Sequence, residues 1–377
     1  MDVDPTVEQL MLRDSTRAFL DSRSPMERVR EMASTGNGFD QYLWNDAASL
    51  GWTAMLVPEA YGGAGLGSQG VVGAAILTEE FGRILYSGPL LPISVAADAV
   101  VRVGSEAQKE AILPNLVNGS SIATWAIADG PGGWDTGGIG VTAYRRGDGY
   151  VLRGVKRWVQ DAHIANQVLV TCRYDDGVVQ LLIPCDAPGL TRTTLVSADL
   201  GRCLSDVEFS EVYVSHDAVL GNPADARAQV SRQLNLAVVL QCAESVGATA
   251  RVLEMAVSYA RERVAFGRPI GSFQAVKHLL AYGATWLEAA QAATWGAVRA
   301  FADESPDTDY ATHIAKAFVA RHCPRIVENC MQVLGGIAMT WENPSHLYLR
   351  RVRSNAVLFG SAAWHADRLC DLLGLAA

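Results

Sequence analysis

The stretch "RERVAFGRPIGSFQAVKH", residues 261–278, holds the side chains best suited to gripping an anion. Arg263 carries a planar fork of donors that matches a phosphate or carboxylate. Phe266 adds a flat apolar ring, and Gly267, Pro269 and Gly271 interrupt the helical pattern where backbone N–H groups can approach a ligand. The same residues would also make an ordinary helix–helix connection, which needs only Gly and Pro. Other chemistries have thinner support. The seven cysteines (Cys172, Cys185, Cys203, Cys242, Cys323, Cys330 and Cys370) form no C-x-x-C pair, so they read as reduced, packed thiols and no metal site is expected. "GGAGLG" (62–67) lacks both a preceding strand and the G-x-G-x-x-G spacing, so it reads as a turn after Pro58 rather than a nucleotide loop.

Three zones of patterning must position these residues. Residues 1–121 are helical: "VVGAAILTEEFGRIL" (71–85) repeats apolar residues at three and four, and "SEAQKEAILPNLVNG" follows a capping Ser105. Across 122–226 the period becomes two. "YVLRGVKRWV", "NQVLVTC", "VVQLLIP" and "VEFSEVYV" read as strands, with hairpin turns at "GDG" (147–149) and "DDG" (175–177). From 227 to 377 long helical stretches return, at 229–263, 274–303, 308–335 and 343–374. Helices, a block of strands, then helices predict an α+β chain: an N-terminal helical domain, a middle antiparallel β-domain and a C-terminal four-helix bundle.

The totals narrow the function. A net charge of −9 over 377 residues opposes nucleic-acid binding. No uninterrupted apolar run reaches the roughly 20 residues of a membrane span, and the acidic, amphipathic N-terminus is no secretory signal. A cytoplasmic protein is expected. Arg greatly outnumbers Lys, which occurs only at Lys109, Lys156, Lys277 and Lys316, and this suits a GC-rich bacterial genome.

The α, β, α order, "RVAFGRPIGSFQ" and "QVLGGIAMTWENPSHLYLRR" (332–351) together resemble the acyl-CoA dehydrogenase family, over essentially the whole chain. "PEAYGGAGLG" (58–67) is a looser match. The resemblance implies a flavin oxidoreductase that desaturates an acyl thioester, with FAD bound at a subunit interface. It implies that Arg263 and the Gln332, Gly335 and Gly336 segment reach the ADP half of an FAD whose flavin lies in the neighbouring subunit. Phe266 would then pack on the adenine, with Gln274 and Gln332 hydrogen-bonding around it. It further implies an acyl-CoA or acyl-carrier substrate and electron transfer to an electron-transfer flavoprotein.

The sequence departs from the family where the chemistry should be. A glutamate normally removes the α-proton, from a Y-E-G-T-like stretch late in the chain. Here that stretch is "LFGS", with Phe359 at the acid's position. The alternative seat, 26 residues before Arg263, is Ala237. Glu244, two turns or about 10 Å further along the same helix face, is a candidate displaced base or a paired structural acid. His365 is a candidate for titration near neutrality or a packed histidine. Where the family has hydroxyls for its flavin, "ADGPGGWD" (128–135) and "WVQD" (158–161) have Ala128, Trp134 and Gln160. Trp158 remains, able to stack on a flavin.

Residues that would serve a neighbour's FAD are thus kept, and those that would serve this chain's own flavin and base are changed. The leading expectation is the base-lacking subunit of a heteromeric α2β2 acyl-CoA dehydrogenase, of the kind that resembles actinobacterial enzymes of lipid or steroid degradation. The alternative is a self-sufficient homo-oligomeric flavoenzyme on an acyl-CoA or carrier-bound acyl group. It would use Glu244 as base or altered chemistry, as in secondary-metabolite tailoring. A third reading, a flavin-free scaffold, leaves the anion clamp without a purpose.

Overall fold

The computed structural model describes residues 5–35, 38–130, 133–175 and 177–375. The helical pattern of the first zone becomes α1 (Val7–Arg23), α2 (Met26–Thr35), α3 (Gln41–Ser49), α4 (Gln69–Ile84), α5 (Leu90–Val103) and α6 (Glu106–Val117). Ser105 caps α6 in a reciprocal pair with Gln108. "GGAGLG" is a turn entering α4, with Gly62, Gly65 and Gly67 at positive φ.

Seven strands follow: β1 (Ala123–Ala126), β2 (Thr142–Arg146), β3 (Gly149–Gln160), β4 (Gln167–Tyr174), β5 (Gly177–Pro184), β6 (Leu190–Thr194) and β7 (Leu204–Ser215). Their order is β1-β4-β2-β3-β7-β6, with β5 on β4. The "GDG" turn closes the β2–β3 hairpin, Arg146 pairing with Gly149. Part of "DDG", residue 176, lies outside the described residues, although Tyr174 pairs with Gly177 across it. The sheet is mixed rather than wholly antiparallel, because β1 runs parallel to β4 and β2 meets β4 in parallel at Thr142 and Arg173. Short β1 enters directly from α6, so no hairpin sets its direction.

The last zone holds α7 (Ala226–Glu262), a two-stranded corner of β8 (Val264–Ala265) and β9 (Arg268–Pro269), α8 (Gln274–Ala302), α9 (Thr308–Leu334), α10 (Ser345–Asn355) and α11 (Ala362–Leu372). The single final helix expected over 343–374 is two helices. Phe359 (φ 61°) and Gly360 (φ 104°) turn the chain between them.

Residues 233–249 of α7 are buried on every side. The helix is long and apolar enough to cross a membrane, but 94% of its most apolar window lies inside the protein, as suits a central core helix. It crosses α4 at very close range through two glycines. A Cβ on Gly82 would meet the Glu244 carbonyl oxygen at 2.0 Å, and one on Gly247 the Glu79 carbonyl oxygen at 1.9 Å. Adding that carbon should therefore force the helices apart: Gly247→Ala lowers stability by about 3 kcal/mol. By contrast, Gly296→Ala on α8, where an added Cβ meets nothing within 4 Å, raises it by about 0.5–1 kcal/mol. Urea melts of both variants check this, and equal shifts would contradict the close crossing.

Candidate functional site

Helices α7, α8 and α9 run up, down and up, so α7 ends, α8 begins and α9 ends at one end of the bundle. This brings Arg263, Phe266, Gln274, Gln332, Gly335 and Gly336 to a common edge, and all six are exposed. Ala265 pairs with Arg268, leaving Phe266 (φ 52°) and Gly267 (φ 78°) as a two-residue turn. A left-handed Phe costs about 1–2 kcal/mol, yet its ring is 93% exposed. The ring meets Phe273 edge-on, centres 6.1 Å apart. Gly335 closes α9 at φ 68°, and a Cβ on it or on Gly336 would meet nothing within 4 Å. The backbone there is open to close approach.

Trp158 does not belong to that edge. It lies on β3, half-buried at φ 53°, in an aromatic stack. Trp134 lies against it, ring centres 5.9 Å apart and planes at 29°. Phe359 meets Trp134 edge-on at 5.4 Å and lies 5.8 Å from Trp125. The hollow left among these rings, Ala128 and Gln160 is about 10 Å³, room for one water at most. Outside Trp158 and Trp364 a groove of about 800 Å³ opens to solvent.

The turn carrying Phe359 is held from below. Buried Lys316 donates from Nζ to Gln241 Oε1 and to the carbonyls of Asn355 and Leu358, the last at 2.9 Å. Burial pushes its ammonium down to about 8. His365 Nε2 donates to the Phe359 carbonyl at 2.9 Å, and its Nδ1 faces His313 Nδ1 at 2.7 Å. Titration near neutrality is therefore excluded for His365: burial, reinforced by Lys316, holds its pKa at about 2 and keeps the ring neutral.

Glu244 sits in a buried ionic knot. Arg351 donates to Glu244 Oε1 at 2.8 Å, to Asp199 Oδ2 at 2.5 Å and to Ser87 Oγ at 2.8 Å. Arg202 donates to Glu244 Oε2 at 2.5 Å and to Gln160 Oε1 at 3.2 Å, and Asn355 adds a bond to Oε2 at 2.8 Å. Burial alone would raise the Glu244 pKa, but the two guanidiniums outweigh it and bring it to about 2. A general base at neutral pH needs the opposite tuning. Asp161 lines the same place, and burial, opposed by Gln160, puts it at about 6. The remaining hollow, between Tyr86, Leu91, Leu240 and these acids, is about 20 Å³. Ala237, one of the two seats for a base, is fully buried on α7 and cannot titrate. Sequence reasoning missed Asp199, Arg202, Arg351 and Lys316. The only signal was their charge, which on an Arg-rich chain looks like surface.

Matches to known proteins agree with this architecture. Residues 6–120, 124–213 and 227–371 match the acyl-CoA dehydrogenase N-terminal, middle and C-terminal domain families. The human mitochondrial short-chain specific acyl-CoA dehydrogenase is 29% identical over 323 residues, 83% of this chain and 77% of its own. Acyl-CoA dehydrogenase IpdE2 of Mycolicibacterium smegmatis is 28% identical, covering 96% of this chain and 97% of its own. Among solved structures, a variant of the Tcur3481–Tcur3483 steroid ACAD superposes with TM-score 0.89 at 30% identity, over 97% of this chain and 98% of that one. The ChsE4–ChsE5 complex from Mycobacterium tuberculosis gives 0.91 at 26%, over the full length of both.

The knot sets a pH-dependent prediction. With its folded pKa lowered from 4.5 to about 2, Glu244 contributes stability fully present above pH 4.5 and lost as pH falls towards 2. Glu244→Gln should cost about 3–5 kcal/mol at pH 7, the penalty for breaking a buried pair. The gap to the parent should narrow steadily below pH 4.5. A gap unchanged between pH 7 and pH 3 in denaturant melts would contradict the ionic assignment.

Proposed function

The chain belongs to the acyl-CoA dehydrogenase family, and we propose that within it this chain is the base-lacking subunit of a heteromeric enzyme. Enzymes of this family are FAD-dependent oxidoreductases acting on CH–CH groups, in which the bound flavin accepts the hydride. The observation that carries the proposal is a contrast between an open clamp and a missing base. At the bundle end, Gly335 and Gly336 leave open backbone where Arg263 and Phe266 are exposed, a fit for the ADP half of the cofactor. At Trp158, Trp134 and Phe359 fill the inner face to about 10 Å³ while the outer face opens on the groove of about 800 Å³, but neither seat of the base, Phe359 or Ala237, carries an acid.

In this reading the chain's own residues bind and orient. The Arg263 fork neutralises a diphosphate, the Gly335 and Gly336 amides approach it, and Phe266 covers the adenine, with Gln274 and Gln332 at its edge. A homologous partner supplies the flavin pocket and the carboxylate that takes the α-proton. Trp158 then serves packing, stacked on Trp134 rather than on a flavin. The likeness to the Tcur3481–Tcur3483 steroid ACAD and the ChsE4–ChsE5 complex supports a heteromeric assembly and a steroid-type acyl-CoA. An α2β2 stoichiometry and an electron-transfer flavoprotein as acceptor follow from the family resemblance. The knot around Glu244 and its 20 Å³ hollow weigh against the homo-oligomeric alternative with Glu244 as base.

Co-purification with the homologous partner tests this. Arg263→Ala should leave the complex assembled but weaken its hold on FAD by about tenfold or more, as expected for losing a charge-assisted bond. Phe359→Glu should add no turnover, because Ala128, Trp134 and Gln160 still stand where the family has the hydroxyls that hold its flavin. A gain of activity from Phe359→Glu, or full FAD retention in Arg263→Ala, would overturn the assignment.

A further inference from the structure

The helices α5 and α7 share a long antiparallel seam. Its Leu91–Leu240 end is closed by the ionic knot, but its other end opens into a groove of about 880 Å³. Two arginines stand side by side there. Arg232 on α7 makes a two-pronged bond to Asp98 on α5, both arms 3.0 Å, and its guanidinium lies 4.2 Å over the Phe301 ring. Arg102, one turn beyond Asp98, has its Nε 3.6 Å from the same carboxylate. One buried acid is thus shared by two guanidiniums, leaving a positive charge facing the groove. Burial and the charge of Arg232 lower the Arg102 pKa from its ordinary value, against the opposing pull of Asp98.

That charge is met from outside. Glu304, just past the end of α8, bonds Arg102 and lies 3.9 Å from Arg232 Nη1, while its side chain is 60% exposed. It holds a left-handed backbone (φ 49°), where glycine is the usual residue after a helix. An exposed, hydrated carboxylate on a corner is readily displaced. Behind the arginines the groove wall is apolar where the half-buried Leu56 and Val101 face it, backed by the buried Val57, Val71 and Phe301. Glu59 and Asp303 stand on the rim and would repel a polyanion.

We propose that this groove binds an amphipathic monocarboxylate, whose head replaces Glu304 on Arg102 and Arg232 and whose apolar body lies along α5 towards the 58–68 turn. Such a ligand needs a forked positive head site, an apolar trough and no further cation, and these are the features present. The proposal does not depend on the subunit role argued above.

Titration calorimetry of the full chain with octanoate tests it. Saturable binding of one octanoate per chain is expected, and Glu304→Gln should tighten it by about tenfold by removing the internal competitor. Arg102→Gln should weaken it by about tenfold or more, the loss of one charge-assisted bond. Arg102→Lys, which keeps the charge but not the fork, should give an intermediate loss should the first variant fold poorly. Octan-1-ol and inorganic phosphate should each bind at least about tenfold more weakly than octanoate, since each lacks one half of the recognition. Octanoate binding that is absent in Glu304→Gln, indifferent to both arginine variants, or matched by octan-1-ol or phosphate would overturn the proposal.

Discussion

A carboxylate buried away from water must be paired, and in this chain Glu244 is paired from three directions. Arg202 comes from the loop before β7, Arg351 and Asn355 from α10, and Arg351 reaches on to Ser87 ahead of α5. One side chain on the central helix therefore ties the N-terminal helices, the sheet and the C-terminal helices together. The consequence is spatial as well as energetic. The groups that compensate the charge occupy the volume between α5 and α7, and about 20 Å³ is left. A partly completed network of this kind would be worse than an apolar core, so its members are interdependent.

The same logic shapes the turn between α10 and α11. Lys316 and His365 bond the carbonyls of Asn355, Leu358 and Phe359, which fixes the backbone without regard to the side chain displayed. The turn can thus retain its path while Phe359 stands where the family's acid would be. The ring then meets Trp134 edge-on and Trp125 at a tilt, and closes the inner side of Trp158. Nothing comparable closes the far end of the bundle, where Phe266 is held strained and exposed. The two ends of the C-terminal helices have been driven in opposite directions, one filled and one kept open.

Much of this was legible in the residue pattern, because it rests on local rules. Ser105 announced a capped helix, "GDG" a hairpin, and Phe266 and Gly267 a break in the helical pattern. The split of the last helix was not legible: Phe359 is an unusual left-handed residue, and what holds it there is Lys316, some 40 positions earlier in the chain. Parallel β1 escaped because four buried residues show no alternation. The ionic knot escaped for a deeper reason. Burial of Arg351 depends on Asp199 and Glu244, which lie 152 and 107 positions away, and no local pattern encodes such meetings. His365 looked like a titrating group for the same reason, since its neutrality is imposed by Lys316 and by the fold around it.

The central claim is that this chain keeps a grip for half of a cofactor and lacks the groups that would serve the other half. The FAD-to-protein absorbance ratio of the chain purified alone, without added cofactor, tests it most directly. The account predicts nearly colourless protein, with a ratio far below one, that becomes yellow only when its homologous partner is present. A ratio near one in the isolated chain would contradict it, because the chain would then hold a whole flavin without its partner.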